Sequence, residues 1–193
     1  MKLKLALLCG LRTADGGRAE LFGMDPRQRA ARSRLGVMLQ STDLPDALTV
    51  AEQVRQFSGY YPRPRDPDEV IETVGLTGSA GQRTRLLSGG QRRRLDVALG
   101  ILGRPELLFL DEPTAGFDPQ ARRDFHDLVH RLSDLEGTTI LLTTHDLAEA
   151  ERLADRILIL VDGRIVADGS ADELTRQVAG TAEVRWACGG ERF

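Results

Sequence analysis

The chain has 193 residues, of which 41% are hydrophobic and 28% are charged, and its formal net charge is −3. This composition is typical of a soluble globular protein with one domain and a sizeable core. The slightly acidic balance argues against a dedicated nucleic-acid-binding protein, which is usually basic. No apolar run approaches the roughly 18 residues that a membrane-spanning helix needs.

The N-terminal segment and the two cysteines give little functional information. MKLKLALLCGL resembles a short signal peptide but lacks an A-x-A-like cleavage site, so we do not interpret it as a leader. Cys9 and Cys188 lie near opposite ends without metal-ligand spacing. We expect both to be free thiols in a reducing compartment.

The first half of the chain mixes short strands with helices. Its apolar spacing and turn residues predict a helix over 3–11, strands over 18–22 and 35–39, and helices over 48–60 and 68–74. The polar, helical middle interrupts strand-rich ends. We therefore predict an inserted helical subdomain at roughly 46–98.

The second half alternates strand and helix. It predicts a helix after Gln91, a strand over 107–110, a helix from Asp118 to Gly137, a strand over 138–143, and a helix capped by Asp146 and Glu149. A hairpin with an Asp-Gly turn and a helix capped by Ser170 then occupy roughly 156–178. This order predicts an α/β fold with a mostly parallel sheet flanked by helices.

Two acids follow the apolar strand LLFL, and their position suggests phosphate chemistry. Ligands bind at the carboxyl edge of open parallel sheets, and Asp111 and Glu112 should lie at that edge. Phosphoryl transfer needs a metal holder and a group that orients the attacking water. Two solvated acids at a strand end are the alternative, but the sequence PTAGFD directly after them favours the functional interpretation.

The sequence LSGGQ, from Leu87 to Gln91, is the most specific motif in the chain. Gly89 and Gly90 let backbone approach a phosphate closely, and Ser88 adds a hydroxyl. The helix that begins near Gln91 presents free N–H groups and the positive end of its dipole. A phosphate-binding turn is therefore predicted here.

Isolated polar residues carry weaker signals. Arg92 to Arg94 are interpreted as a solvated helix face, and His126 and His130 as structural. His145 follows a predicted parallel strand, from which a histidine can contact a γ-phosphate or position water. Gln40 also follows a strand, although a lone glutamine means little.

Taken in order, these motifs resemble the nucleotide-binding domains of ABC transporters over nearly the whole chain. The resemblance places the signature motif on Leu87, Ser88, Gly89, Gly90 and Gln91, and the Walker B strand on 107–111. It also implies roles for five further positions. These are the metal-binding Asp111, the catalytic Glu112, the D-loop Asp118, the switch His145 and the Q-loop Gln40, which would also face the metal.

The resemblance implies an ATPase with Mg²⁺ as cofactor on a P-loop NTPase-like fold. In this family two domains meet head to tail, and each ATP lies between the Walker A loop of one and the LSGGQ of the other. Motion reaches separate transmembrane permease subunits through the Q-loop and the helical subdomain. The chain would thus be cytoplasmic, at the inner face of the membrane. The segment QRRRLDVALGILGRPELLFLDEP resembles sequences of the family branch that contains antibiotic-resistance exporters. The identity of the transported molecule is left open.

One family motif does not occur: the Walker A loop, G-x-x-x-x-G-K-[ST]. Counting back from Gly10 along the family pattern places its lysine near Met1, so we expect the first strands and this loop to be missing and a strand edge to be exposed. We favour a shortened form of an ordinary ATPase, inactive alone. The alternative is a non-catalytic partner or regulatory module that lends LSGGQ to an intact ATPase. ABC ATPases of DNA repair and translation fit less well, because no long coiled coil, zinc-type cysteines or tandem domain is visible.

Overall fold

The computed structural model describes residues 3–39 and 44–179. The chain divides into two compact units, Met1–His145 and Asp146–Phe193. Gln40 and Cys188, both singled out in the sequence, lie outside the described residues. None of the described helices is long and apolar enough to cross a membrane.

The described part of the first unit contains six helices and three strands. The helices are α1 (Leu3–Leu8), α2 (Arg29–Arg32), α3 (Val50–Ser58), α4 (Pro67–Thr73), α5 (Gly89–Ile101) and α6 (Pro119–Glu136). The strands are β1 (Leu35–Met38), β2 (Leu107–Asp111) and β3 (Thr139–Thr143). Two short 3-10 turns, Thr77–Ser79 and Thr84–Leu86, lead into α5. The alternation of helix and strand agrees with the predicted α/β class.

The strands form a parallel sheet in the order β1-β2-β3. Leu35 pairs with Leu107 at one end, and Asp111 pairs with Thr143 at the other. Because all three strands run the same way, their carboxyl ends meet at one edge of the sheet. That edge carries the predicted acids.

The central strand, β2, is buried between its two neighbours, β1 and β3. Leu108, Phe109 and Leu110 are completely inaccessible to solvent. Helix α5 approaches β1 so closely that a Cβ on Gly36 would lie 2.3 Å from the carbonyl oxygen of Gly100. A side chain at Gly36 is therefore excluded, and this contact fixes α5 against the strand that leads to Gln40.

Helix ends follow the sequence signals. Thr49 and Glu52 form a reciprocal capping box at the start of α3. Asp118 caps α6 with Pro119 in its first turn, and Gly137 ends that helix in the left-handed conformation (φ 60°). The predicted helices near these positions are confirmed, with ends shifted by one or two residues.

Two sequence-based predictions are wrong in part. The strand expected over 18–22 is a tight turn with an isolated bridge between Leu21 and Met24, because Phe22 (φ 54°) and Gly23 (φ 74°) reverse the chain there. The expected buried strand over 138–143 is β3, whose residues are partly accessible apart from the exposed Thr139. Among the first unit's described residues, β3 pairs with β2 on one side only.

The second unit is built as the local sequence predicts. It contains α7 (Leu147–Leu153), the antiparallel strands β4 (Ile157–Val161) and β5 (Arg164–Gly169), and α8 (Ala171–Ala179). The turn residues Asp162 (φ 47°) and Gly163 (φ 83°) both have the positive φ that this hairpin type needs. Ser170 and Glu173 exchange hydrogen bonds at the start of α8.

Candidate functional site

The acid pair lies where the register of the parallel sheet places it, at the carboxyl ends of β2 and β3. Asp111 is the last residue of β2 and is 1% exposed, and Glu112 follows at 8% exposed. Carboxylates are rarely so buried unless other groups hold them. These acids are therefore not the two solvated side chains of the alternative interpretation.

Glu112 contacts His145, which the sequence analysis had assigned to the same chemistry. Glu112 Oε2 lies 2.7 Å from His145 Nδ1, although 33 positions separate the two residues. The His145 side chain is 81% exposed, whereas its partner carboxylate is buried. The pair thus joins a carboxylate in the protein interior to a ring that solvent or a ligand can reach.

The backbone of Glu112 has an unusual conformation. Its φ is +50°, in the left-handed region that side-chain-bearing residues rarely adopt. Such strain persists where surrounding contacts over-determine the conformation, and it is concentrated at functional sites. The Glu112 N–H donates to the carbonyl oxygen of Thr143 at 3.0 Å, which is one of those contacts.

Thr143 is a member of this cluster that the sequence analysis did not assign to the site. Its hydroxyl donates to Asp111 Oδ1 at 2.8 Å. Thr143 is the cross-strand partner of Asp111, so the sheet register brings them together. The position directly opposite the acid in the neighbouring strand is the signal that could have identified it, but the register is not visible in the sequence.

The signature motif forms a second cluster, at the start of α5. The Ser88 hydroxyl oxygen accepts from the Gln91 N–H at 3.2 Å, and Gln91 Oε1 accepts from the Ser88 N–H at 2.9 Å. Gln91 also donates through Nε2 to Ser79 Oγ at 3.0 Å. This capping box holds the turn in shape by contacts within the motif and one neighbouring serine.

The two signature glycines have different surroundings. A Cβ built on Gly89 would meet no atom within 4 Å, whereas one on Gly90 would lie 3.7 Å from the Cβ of Ala121. Leu87, which precedes the turn, is partly exposed. Gly89 is therefore the point where backbone is open to a ligand, while Gly90 packs beside the first turn of α6.

Asp118 serves as the cap of α6. One carboxylate oxygen accepts from the N–H groups of Gln120 and Ala121, each at 2.9 Å. These bonds, that from Ala121 first, hold the pKa of the Asp118 carboxyl below its usual range. The predicted D-loop residue thus lies at the helix end against which Gly90 packs.

The interpretation of Arg92 to Arg94 as a solvated face is wrong for two of the three. The side chains of Arg93 and Arg94 are only 15% and 19% exposed. Arg93 Nη1 donates to the carbonyl oxygen of Leu39 at 2.9 Å, and Arg94 Nη1 donates to that of Val74 at 2.9 Å. Arg93 therefore ties the signature helix to the residue before Gln40.

A cavity of about 330 Å³ opens beside this tie. Its wall is mainly apolar, and its charged members are Asp96 and Arg32. The lining comprises Cys9, Leu11, Arg32, Leu35, Val37, Met38, Leu39, Phe57, Tyr61, Asp96, Leu99 and Gly100. Burial, and then the negative charge of Asp111, raise the pKa of the Cys9 thiol to about 11. The cavity therefore presents an unreactive thiol and an apolar surface.

The buried Asp111 carboxylate has the chemistry of a Mg²⁺ ligand. This ion usually takes one or two protein carboxylates together with substrate phosphates and water. Among the described residues, no group of three or more His, Cys, Asp or Glu side chains could hold a metal by itself. Asp111 therefore fits as the one protein carboxylate on a Mg²⁺ ion whose other ligands come from a nucleotide and water. Gln40, the other predicted ligand, lies outside the described residues.

The sequence of this chain matches a known protein family. The family model described as ABC transporter matches residues 4–115, more than half of the chain. The chain is an ATP-binding domain of the ABC transporter family. The matched region contains the whole signature motif, β2 and both acids of this ATP-binding domain.

Two curated relatives are ATP-binding proteins by name. The daunorubicin/doxorubicin resistance ATP-binding protein of Streptomyces peucetius is 41% identical over 177 residues, covering 88% of this chain and 53% of the relative. The Nod factor export ATP-binding protein I of Cupriavidus pinatubonensis is 41% identical over 179 residues, covering 88% of this chain and 54% of the relative. The chain thus spans about half the length of these relatives.

The fold is also similar to that of a solved ABC transporter subunit. A structure described as the ATP-binding subunit of an ABC transporter superposes with a TM-score of 0.75 at 25% identity, covering 91% of this chain and 76% of the other. The predicted α/β class with a parallel sheet and flanking helices is confirmed.

Proposed function

We propose that this ATP-binding domain hydrolyses ATP to drive export of drug-like molecules through separate membrane subunits. The observation that carries the proposal is the buried Glu112 carboxylate held 2.7 Å from the exposed His145 ring, directly after the strand that ends in Asp111. The names of the two relatives, which refer to drug resistance and to export, support the direction of transport.

In the proposed mechanism the two acids have different tasks. Asp111 would hold Mg²⁺, and the ion would supply positive charge that neutralises the phosphates of ATP. Glu112 accepts a hydrogen bond from the attacking water and orients it. When both of its ring nitrogens carry a proton, His145 can donate from Nδ1 to the Glu112 carboxylate and from Nε2 to the γ-phosphate.

The signature turn has its task in the opposite nucleotide site. Ser88, Gly89 and the first N–H groups of α5 present donors to an anion, and the capping box holds the turn that carries them. In a head-to-tail dimer, that anion is the γ-phosphate of the ATP held by the partner subunit. Asp118, beside Gly90 at the start of α6, lies next to the same contact.

The cavity beside β1 is the proposed meeting point with the membrane subunit. Its apolar wall joins α3 and α5 to the strand that leads to Gln40, so a segment inserted there would contact both. The bond from Arg93 to the Leu39 carbonyl then connects that segment with the signature helix. In this arrangement the domain lies at the cytoplasmic face of the membrane.

A second candidate is a partner module that supplies only LSGGQ to another ATPase. The observation in its favour is that reciprocal hydrogen bonds between Ser88 and Gln91, with a further bond from Gln91 to Ser79, hold the signature turn in shape. The Walker A pattern does not occur in the 193 residues, which both candidates must accommodate. Under either proposal we expect little ATP hydrolysis by this chain alone.

The experiment measures Mg²⁺-dependent binding of a fluorescent ATP analogue and ATPase rates. It compares the 193-residue chain with a version extended upstream through any in-frame G-x-x-x-x-G-K-[ST]. We expect saturable binding and hydrolysis by the extended form. Its Glu112→Gln variant should keep binding while hydrolysis falls by about 10²-fold to 10⁴-fold, the range for loss of a general base.

The outcomes separate the candidates. An extended form that binds no nucleotide would exclude the ATPase proposal. The partner-module candidate predicts instead that the 193-residue chain stimulates an ABC subunit with an intact Walker A loop and a disabled signature motif. The matched control is the same chain with Ser88→Arg, which should not stimulate.

A further inference from the structure

Thr143 contacts both acids of the proposed hydrolytic site. Its hydroxyl donates to Asp111 Oδ1 at 2.8 Å, and its carbonyl oxygen accepts from the Glu112 N–H at 3.0 Å. The Glu112 N–H also lies 3.4 Å from the Thr143 hydroxyl oxygen. A single residue on β3 thus holds consecutive residues at the end of β2.

The two acids need such a holder because the chain changes direction between them. Asp111 is still in the strand, whereas Glu112 has a φ of +50°. A left-handed conformation is unfavourable for a residue with a side chain and requires support from neighbouring groups. The hydrogen bond to the Thr143 carbonyl fixes the peptide group that joins the acids, and the hydroxyl fixes one carboxylate oxygen of Asp111.

We propose that Thr143 is a positioning residue that orients the Asp111 carboxylate toward Mg²⁺ and fixes the backbone from which Glu112 reaches His145. The inference rests on the proposed ATPase function and names a further residue of that same site. Groups that hydrogen-bond to a metal-binding carboxylate orient it, and their loss typically weakens metal affinity by about 10-fold to 100-fold. Threonine suits the position because its β-branched side chain has few rotamers in a strand.

The test compares variants that separate the hydroxyl from the shape of the side chain. Thr143→Val keeps the shape and removes the hydroxyl, and Thr143→Ser keeps the hydroxyl. Thr139→Val is the matched control, because Thr139 lies on the same strand at the end remote from the acids, opposite Leu107. Thr143→Cys, compared with Thr143→Ser, replaces the hydroxyl oxygen by a weakly donating sulfur and serves if Thr143→Val does not fold.

The measured quantity is the affinity for Mn²⁺ in the presence of ATP, monitored by electron paramagnetic resonance. The protein used is the upstream-extended form described above, which is the form expected to bind nucleotide. We expect Thr143→Val to bind Mn²⁺ about 10-fold or more weakly, and Thr143→Ser and Thr139→Val to bind as the unmodified protein does. In a hydrolysis assay, Thr143→Val should require a higher Mg²⁺ concentration. Thermal unfolding of each variant reports whether it is folded.

Three outcomes would overturn the inference alone. They are unchanged affinity in Thr143→Val, equal weakening in Thr143→Val and Thr143→Ser, and equal weakening in Thr143→Val and Thr139→Val. A different result, no saturable binding of Mn²⁺ and ATP by the unmodified protein, would overturn the proposed function and this inference with it. The two failures are therefore distinguishable.

Discussion

The acid cluster and the signature turn are built in opposite ways. In the acid cluster, Asp111 and Glu112 contact Thr143 and His145, residues 32 and 33 positions away, through hydrogen bonds across neighbouring strands. In the signature turn, Ser88 and Gln91 contact each other three positions apart. The first cluster depends on the register of the whole sheet, and the second on four consecutive residues and one neighbour.

This difference predicts how each cluster responds to change elsewhere in the molecule. Disturbing the core beneath β2 should disorganise the acids, because their partners come from another strand. The signature turn should be sensitive to its own cap and to little else.

The largest expected effect comes from the core of β2. Phe109 is fully buried in a cluster with Leu5, Leu21 and Ala31, and Phe109→Ala should lower the free energy of unfolding by about 3–5 kcal/mol through lost burial and a cavity. Leu86→Ala is the control beside the signature motif, where Leu86 is 61% exposed, and should change stability by less than about 0.5 kcal/mol. Urea denaturation measures both. Similar losses in the two variants would contradict the contrast.

The next effect concerns the strained backbone of the acid cluster. Both Glu112→Gly and Glu112→Ala remove the contact with His145, but only glycine accepts a φ of +50° without strain. We expect Glu112→Gly to be more stable than Glu112→Ala by about 1–2 kcal/mol, the usual penalty of this conformation. The comparison is made by chemical denaturation. If alanine were as stable as glycine, the neighbouring contacts would not be holding a strained residue.

A smaller effect is expected from the local cap of the signature turn. Ser88→Ala removes the acceptor for the Gln91 N–H and should lower stability by about 1 kcal/mol. Ser88→Asn, which can cap as serine does, should have little effect. Helical circular dichroism during urea denaturation measures the loss. Equal loss in both variants would mean that the turn depends on something other than its cap.

The same contrast explains which features the sequence could predict. Helix starts at Thr49, Asp118 and Ser88 depend on residues within three or four positions, so their signals are local. The position of Asp111 and Glu112 at the sheet edge followed from the buried strand before them. The role of Thr143 depends on which residue of β3 lies opposite Asp111, and the sequence does not contain that register in any local form.

Burial was also harder to predict than secondary structure. Arg93 and Arg94 looked like a solvated face because three consecutive arginines usually are. Their bonds to the carbonyls of Leu39 and Val74 come from segments 54 and 20 positions away. The pairing partners of β3 were similarly hidden, so its apolar sequence suggested more burial than the strand has.

The smallest expected effect tests how far the charge of the acid cluster extends. Burial is the main cause of the Cys9 pKa of about 11, and the negative charge of Asp111 is the second. Asp111→Asn removes that charge, so the pKa should fall and more thiolate should be present at pH 8. Since the thiolate is the reactive form, alkylation of Cys9 should accelerate by less than about tenfold, the factor for one pKa unit. Mass spectrometry of the Cys9 peptide after brief iodoacetamide treatment measures the rate.

Asp68→Asn, a change at an exposed acid paired with Arg55, is the control for this measurement and should leave the rate unchanged.

If the charge of Asp111 acts directly on the Cys9 thiol, it also changes how native stability depends on pH. Because the native thiol ionises only near pH 11, the unfolded chain loses its Cys9 proton first, and native stability should decline as the pH rises from about 9 toward 11. Asp111→Asn lowers the native pKa of Cys9, so this alkaline loss of native stability should be smaller in the variant. Faster alkylation without this shift would point to local opening of the acid cluster, and the charge of Asp111 would not be acting on the thiol.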